Sequence, residues 1–484
     1  MEIFKGLQPE LVWSYFEEIC KIPRPSKKEE KIAAWLMEFA KKHQLEARQD
    51  EAGNVLITKP ATPGKEQTPG VVLQAHMDMV CEKNADTVHD FDKDPIKPYI
   101  DGEWVKAKGT TLGADDGIGI AAALAVLTDE NIQHGPLECL FTVDEETGLT
   151  GAFALQPGFF QGKILLNLDS EDEGEIFIGC AGGIDTVIRL PYRKMVLPAH
   201  KFAVQVKVKG LQGGHSGDDI NKGRGNAIKI LNRFLWDLNE RYGLLVASLE
   251  GGNLRNAIAR EANAVIVFDE VLKENIRVDF NMYAAEMEEV WKITEPGLQL
   301  ELESVDLPGE VLTQEFTNKL LNACPHGVFA MSYRMPGMVE TSTNLAAVKF
   351  IENDTILITT SQRSDVDSEK MNIAHMVAAV FRLIGAEVEH GEGYPGWAPN
   401  PESAILKIAV ESYKQLFGYE PVVRSIHAGL ECGLFLEKYP GMDMISFGPT
   451  LRGVHSPDEK VDIETVGKWW KHLVDILERL TKEA

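Results

Sequence analysis

The chain has 484 residues, 44% of them hydrophobic and 25% charged, so it is long enough for two or more domains with sizeable cores. Its net charge of −25 argues against nucleic acid or an anionic membrane as the main partner, because both require a basic face. The six cysteines are scattered without a C-x-x-C pair, and the sequence shows neither a signal-peptide pattern nor a long apolar run, so we expect a cytoplasmic protein without disulfides or a thiolate zinc site.

The first part of the chain alternates helix-like and strand-like segments. Residues 8–21 carry Leu11, Phe16 and Ile19 at roughly helical spacing, and the residues from Ser26 to Glu29 resemble a capping box that opens a second helix reaching about residue 43. The next apolar segments predict strands at 54–58, 71–75, 137–143 and 163–168, and a buried helix at 116–130. This alternation predicts an α/β domain with a mixed central sheet and helices on both faces.

The pattern changes near residue 186. A strictly alternating strand at 201–209 precedes a helix near 224–240, and a strand at 355–364 precedes a helix near 368–386. These two strand–helix units predict an inserted α+β domain of two similar halves.

The first pattern returns after the loop-like segment GYPGWAPNP. A helix at 403–417 and a strand at 443–447 resume it. We therefore predict one domain built from residues 1–186 and 393–484, interrupted by a second domain at 187–392.

Acidic residues and histidines interrupt the apolar segments of the first domain. Several follow strands in LQAHMDMV, FTVDEETG and NLDSEDEG, one pair precedes the buried helix in TTLGADDGIGIA, and one histidine lies far along the chain in GVHSPDEKV. The residues are His76, Asp78, Asp115, Asp116, Glu145, Glu146, Asp169 and His455. Taken singly, each has a plain structural explanation, such as a histidine–carboxylate pair, a helix-capping acid or a polar turn.

Taken together, these residues predict a site for two cations. Strand ends of an open α/β sheet meet at one edge, so the side chains that follow them gather there. A carboxylate shared between two ions, two histidines and two further carboxylates offer nitrogen and oxygen ligands, which suit Zn²⁺, Mn²⁺ or Co²⁺ rather than Ca²⁺.

The order of HMD, GADDG, EE, NLD and a distant histidine resembles the co-catalytic zinc aminopeptidase/carboxypeptidase family, which includes tripeptidase T and carboxypeptidase G. Longer blocks, among them HMDMVCEKN, DSEDEGEIFIGCAGG and HAGLECG, are similar to its dipeptidases that act on aminoacyl-histidine. The resemblance spans essentially the whole chain. It implies a cytoplasmic, metal-dependent hydrolase of Xaa-His and other dipeptides, often a homodimer, with a lid domain inserted in the catalytic domain.

The resemblance also implies roles for individual residues. His76 and Asp169 would hold one metal ion, Glu146 and His455 the other, and Asp115 rather than Asp116 would bridge them. Asp78 would orient His76, because a carboxylate commonly holds the second nitrogen of a ligating imidazole. Glu145 would be the general base that takes a proton from the attacking water. No role is assigned to Asp144.

The resemblance extends to residues that would touch the substrate. His215, in LQGGHSGDDI, matches a lid histidine that polarises the scissile carbonyl. Asn256 is a further candidate lid residue. His427 and Gly429 lie in a loop placed in the catalytic domain, whose backbone N–H groups could hold the substrate carboxylate, and Glu431 in the same loop is a candidate contact to the amine or side chain.

Two other readings stay open. An N-acyl-amino-acid deacylase or a carboxypeptidase of the same family would use the same residues on a different substrate. A non-catalytic peptide- or metal-binding protein would lack the base, whereas Glu145 is present.

Overall fold

The structure is a computed structural model that describes residues 3–312 and 321–482. The chain forms two compact units, one of residues 1–179, 399–425 and 430–484, and the other of residues 180–398 and 426–429. Within the described ranges, no helix is long and apolar enough to cross a membrane.

The first unit contains the segments predicted for the α/β domain. Its helices are Glu10–Ile19, Glu30–Lys42, Ala114–Thr128, Glu145–Gly148, Thr150–Ala154, Ala404–Phe417, Glu431–Lys438 and Ile463–Leu480. The strands of its main sheet, in spatial order, are Glu46–Gln49, Val55–Lys59, Leu137–Thr142, Val71–His76, Ile164–Asn167, Asp443–Ser446, Glu175–Cys180 and Val422–Ile426. A smaller sheet orders Leu451–Arg452, Lys460–Asp462, Trp104–Ala107 and Pro98–Asp101.

The main sheet is mixed, as predicted, and its parallel centre positions the site. The strand Val71–His76 pairs in parallel with strands on both sides, so that His76 lies opposite Thr142 and Gln74 lies opposite Asn167. The strand is buried at every position because neighbouring strands and helices cover it. The carboxyl ends of three strands therefore meet at one edge.

The predicted capping box is wrong. The helix Glu30–Lys42 forms, but no side chain caps its N-terminus. Ser26 instead donates its hydroxyl to the carboxylate of Asp78 at 2.7 Å, and Glu29 accepts the backbone N–H of Asp144 at 3.0 Å. Both side chains therefore bond residues that are distant in the chain. A local sequence pattern cannot reveal such partners.

A buried histidine in the helix Ile463–Leu480 predicts acid sensitivity. The ring centroid of His472 lies 5.2 Å from those of Tyr413 and Phe447, Nε2 is 2.8 Å from the carbonyl oxygen of Ala409, and burial lowers its pKa to about 4. Between that pH and about 6.5, His472 binds a proton in the unfolded chain but not in the folded chain. The contribution of the neutral His472 to the free energy of unfolding is therefore fully present above this pH window and is lost as the pH falls through it.

We therefore expect His472→Gln to reduce the loss of thermal stability between about pH 7.5 and about pH 5. The measurement is Tm at both values, with the exposed His375 changed to Gln as the control. An unchanged pH dependence in His472→Gln would contradict the assignment.

The second unit is built on a nine-stranded antiparallel sheet. Its path runs Gln299–Val305, Lys201–Lys209, Ala262–Asp269, Leu245–Gly252, Val339–Ile351, Thr355–Ser364, Gly182–Pro191 and Glu387–His390, and Gly327–Met331 also pairs with Val339–Ile351. A two-stranded sheet joins Lys194–Val196 to Glu310–Leu312. Its helices include Ala227–Tyr242, Lys273–Trp291 and Asp367–Arg382, and Glu270–Leu272 forms a 3₁₀ turn. Both predicted strand–helix units form, and their apolar faces share one core.

The boundaries of the two units differ from the predicted ones, and one of the differences concerns candidate substrate-binding residues. The chain passes into the second unit at residue 180 and leaves it at 398, where the sequence suggested 187 and 392. Residues 426–429 also belong to the second unit, so the placement of His427 and Gly429 in the first domain was wrong, whereas Glu431 does lie there. A four-residue segment carries too little sequence pattern to reveal this exchange.

Candidate metal centre

The imidazole of His76 is surrounded by carboxylates at the carboxyl end of its strand. Its Nε2 lies 2.9 Å from Oδ1 of Asp115 and 3.6 Å from Oδ1 of Asp169. Its Nδ1 lies 3.3 Å from Oδ1 of Asp78, within ion-pair distance but not aligned as a hydrogen bond. The two ring nitrogens therefore face different acids, and Nε2 faces the candidate ligands.

Asp115 presents one oxygen to each of two histidines. Oδ1 faces His76, and Oδ2 lies 3.2 Å from Nε2 of His455, which is also 3.0 Å from Oε2 of Glu146. Two groups with donor atoms within 4.8 Å of one another result, and Asp115 belongs to both. The groups are His76 with Asp115 and Asp169, and Asp115 with Glu146 and His455. Glu145 also groups with His76 and Glu146.

Asp116 faces elsewhere. Its Oδ1 accepts the backbone N–H of Gly119 at 3.2 Å, inside the first turn of the helix that it opens, and its side chain is buried. The first acid of the GADDG motif is therefore the one that meets both histidines.

The carboxylate of Asp78 orders the loop that carries both glutamates. Its two oxygens accept the backbone N–H groups of Glu145 at 3.0 Å and Glu146 at 3.2 Å, and Ser26 donates to it as well. Glu145 and Glu146 begin a short helical turn directly after the strand Leu137–Thr142 and Asp144. The contact of Ser26 with Asp78 was not predicted from the sequence, because the two residues are distant in the chain.

Asp144 stabilises the same loop through its backbone conformation and its carboxylate. It adopts a left-handed conformation with φ of 53°, and its carboxylate accepts the hydroxyl groups of Thr147 and Thr150. Asn and Asp tolerate this backbone region better than most residues. Asp144 is therefore a turn residue that aims the two glutamates, which answers why a third acid stands beside them.

The site carries an excess of acids, and the pKa values reflect it. The carboxylates of Asp115 and Glu146 raise the pKa of His455 to about 11. Burial, reinforced by Asp115, raises the pKa of Asp169 to about 7. Burial, with the nearby charges of Asp169 and Glu431, also raises the pKa of Glu145 well above its ordinary value.

The donor set fits divalent cations. Oε1 of Glu146 is buried without a hydrogen-bond partner, which is costly for a carboxylate unless a cation or proton compensates it. Two imidazole nitrogens and several carboxylate oxygens are the ligand chemistry of Zn²⁺, Mn²⁺ and Co²⁺.

The side chain of Glu431 is buried and contacts two of the strands that lead to this site. Its Oε2 accepts from Nε2 of Gln74 at 2.6 Å and from the hydroxyl of Thr142 at 2.8 Å, whereas Oε1 is buried without a partner. Burial raises its pKa to about 8. One oxygen is thus held by the sheet, and the other is free to accept.

A second cluster lies within the other unit around His215 and Arg363. Nδ1 of His215 accepts backbone N–H groups of Gly217 and Asp218 at 3.3 and 3.2 Å, which leaves the proton of a neutral ring on Nε2. Burial, followed by the charge of Arg363, lowers the pKa of His215. Nε2 lies 3.3 Å from Nη2 of Arg363, so two donors converge without an acceptor between them.

Arg363 is the residue of this cluster that the sequence analysis missed. It is 7% exposed and its guanidinium contacts Ser216 and Tyr394, while no carboxylate in residues 3–312 and 321–482 lies within ion-pair distance. A buried cation with only neutral partners favours an anionic ligand. Its place at the end of the strand Thr355–Ser364 is the signal that could have revealed it.

The remaining candidates lie near this cluster. Nε2 of His427 is 2.7 Å from the hydroxyl of Ser342, and burial, Arg363 and His215 lower its pKa to about 3. Gly429 packs against the ring of Tyr394, where a Cβ atom would lie 2.8 Å from Cε2. Asn256 is exposed, and its carbonyl accepts the N–H of Ser216 at 2.8 Å.

The α/β unit carries the histidine–carboxylate site and the second unit is built on an antiparallel sheet, and the comparisons with known proteins identify the family. Residues 72–479 match peptidase family M20/M25/M40, and the chain belongs to this family. It is 47% identical over 483 residues to the cytosol non-specific dipeptidase of Escherichia coli (strain K12), covering 99% of both chains.

Solved structures show the same relation. The aminoacylhistidine dipeptidase of Vibrio alginolyticus superposes with a TM-score of 0.92 at 46% identity, over 99% of each chain. The aminopeptidase PepT of Bacillus cereus ATCC 10987 shares the fold with a TM-score of 0.58 at 18% identity, over 98% of this chain and 99% of its own. The expected family and the mixed α/β fold with an inserted domain are confirmed.

Proposed function

We propose that the protein is a metal-dependent dipeptidase that hydrolyses Xaa-His and other dipeptides. The observation that carries the proposal is the position of Asp115, whose two oxygens face two histidines belonging to different ligand groups. The names of the two full-length relatives, a non-specific dipeptidase and an aminoacylhistidine dipeptidase, support the substrate class.

His76 and Asp169 would hold one metal ion, Glu146 and His455 would hold the other, and Asp115 would be a ligand shared by both. Bound ions of this kind lower the pKa of water and polarise a carbonyl oxygen. Asp78 would orient the ring of His76, a role supported by the 3.3 Å between its Oδ1 and Nδ1 of His76. It also holds the loop of both glutamates through their N–H groups.

Glu145 is the proposed general base. It takes a proton from the attacking water and delivers it to the nitrogen of the leaving amine, a contribution of roughly 10²–10⁴-fold in such reactions. Its backbone is held by Asp78 and its side chain groups with His76 and Glu146. The neighbouring Glu146 instead lies beside His455.

His215 is proposed to donate from Nε2 to the oxygen of the scissile carbonyl, where negative charge develops. The N–H groups on its Nδ1 favour the required tautomer. Arg363, buried and without a carboxylate partner, is proposed to bind the terminal carboxylate of the dipeptide.

The other contacts follow from the same reasoning. The free oxygen of Glu431 suits the ammonium group of a dipeptide, and the loop of His427 and Gly429 with exposed Asn256 would complete the contacts to its carboxylate end. The second unit, residues 180–398 and 426–429, would serve as the substrate-covering domain.

We also propose that the two ions are Zn²⁺, that the protein is cytosolic and that it is a homodimer. The mixed nitrogen and oxygen ligands support zinc, and the relative named for the cytosol supports the location. The family resemblance supports the dimer. Elemental analysis, cell fractionation and light scattering of the purified protein check these three points.

The deciding experiment is hydrolysis of a substrate panel by protein loaded with Zn²⁺, Mn²⁺ or Co²⁺, read by mass spectrometry. We expect carnosine, Ala-His and other dipeptides to be cleaved, and acetyl-amino acids and longer peptides to be cleaved poorly. Preference for acetyl-amino acids would favour a deacylase, preference for longer peptides a carboxypeptidase, and inactivity with every metal a binding protein.

A further inference from the structure

A single buried carboxylate holds the turn that leads into Asp115. Glu459 is 2% exposed and accepts four consecutive backbone N–H groups. The distances are 2.7 Å from Leu112 and 2.9 Å from Gly113 to Oε2, and 2.8 Å from Ala114 and 3.3 Å from Asp115 to Oε1. Both oxygens are therefore occupied by one turn.

A buried guanidinium holds the same turn through its carbonyl side. Arg24 is 3% exposed, its Nη1 donates to the carbonyls of Met77 at 2.9 Å and Asp78 at 2.7 Å, and its Nη2 donates to the carbonyl of Gly113. Among residues 3–312 and 321–482, no carboxylate lies within ion-pair distance of it. Its guanidinium therefore bonds backbone carbonyls just after the strand Val71–His76 and in the turn.

The turn packs closely against the guanidinium at Gly113. Gly113 has φ of +69°, which favours glycine. A Cβ atom there would lie 2.6 Å from Nη2 of Arg24 and 2.7 Å from Sδ of Met79.

We propose that Arg24 and Glu459 are positioning residues that clamp the turn from opposite sides and thereby set where Asp115 presents its two oxygens. Arg24 ties the turn to the strand end that carries His76, and Glu459 ties it to the loop that carries His455. The inference rests on the proposed function in taking Asp115 as the shared metal ligand.

Arg24 and Glu459 can fix the position of the turn because their charged groups bond the backbone rather than mobile side chains. Each charged group is buried and its contacts are backbone groups, so shifting the turn would leave charge and peptide groups unsatisfied together. A carboxylate that must face two histidines at once requires this precision, since moving it towards one ion takes it from the other.

The test is metal binding by the full chain. The variant Glu459→Gln keeps the shape but replaces one accepting oxygen by an amide donor that faces N–H groups. Glu138→Gln is the matched control, because Glu138 is also buried and accepts the N–H groups of Gln161 and Gly162, near the start of its strand and away from the carboxyl ends.

We expect calorimetric titration of the metal-stripped chain with Zn²⁺ to show both ions bound about 10–100-fold more weakly in Glu459→Gln, the range for lost supporting contacts. At saturating Co²⁺, its visible absorption spectrum should differ from that of the wild type. Glu138→Gln should match the wild type in affinity and spectrum, even if its Tm falls.

Unchanged affinity and spectrum in Glu459→Gln, with only a lower Tm, would overturn the clamp. Arg24→Lys, which keeps the charge but loses the fork, is the second variant should Glu459→Gln fail to fold, and wild-type metal binding by Arg24→Lys would also overturn it. A wild-type chain that binds no metal would instead overturn the proposed function.

Discussion

Replacing Glu145 by glutamine is expected to abolish most turnover while both metal ions stay bound. The amide cannot accept the proton of the attacking water, and general-base loss costs roughly 10²–10⁴-fold in rate. The main-chain contact of Glu145 to Asp78 would persist because it uses the backbone N–H. Steady-state kinetics on Ala-His, with metal content by elemental analysis, measure both effects.

The matched control is the neighbouring Glu146→Gln. Its carboxylate lies 3.0 Å from Nε2 of His455, and we expect this variant to lose one metal ion as well as activity. Equal metal content in the two variants would show that the proposed division of labour between Glu145 and Glu146 is wrong.

Asp115→Asn is expected to lose affinity for both metal ions. The amide presents a single oxygen, whereas the carboxylate faces His76 with one oxygen and His455 with the other. The loss should exceed the roughly 10–100-fold typical of supporting residues around a metal, because a shared ligand is removed. Zn²⁺ titration and activity at limiting metal both report it.

Asp116→Asn is the control for that change. Asp116 accepts the N–H of Gly119 through Oδ1, which asparagine can also do, so metal binding should remain close to that of the wild type. A larger loss in Asp116→Asn than in Asp115→Asn would reverse the roles of the two acids.

Much of this arrangement was predictable because it follows strand ends. His76, Glu146 and Asp169 each come after an apolar run, and parallel strands place such positions at one edge. The fold class and the predicted segments, such as the strand Val71–His76 and the helix Ala114–Thr128, followed from apolar alternation and helical spacing. Other elements, among them the helix Ile463–Leu480, were not predicted. The family resemblance added the pairing of the distant His455 with Glu146, and of both with Asp115 as the shared ligand, which spacing alone does not contain.

The sequence did not reveal the roles of residues that act through distant partners or through an unusual backbone conformation. Ser26 looked like a helix cap but bonds Asp78. Asp144 is a different case, because its partners Thr147 and Thr150 are close in the chain but its left-handed turn shows only in the structure. Arg363 offered only its place at a strand end, and Glu459 offered no local pattern at all.

The sequence by itself determined the fold class, several of the strands and helices, the family and the set of histidines and acids that could bind metal, because these depend on periodicity and residue chemistry. Only the tertiary structure decided which oxygen faces which nitrogen, which unit holds residues 426–429 and which buried charges grip the turn before Asp115. These features depend on contacts between segments that lie tens to hundreds of residues apart in the chain, which no local pattern records.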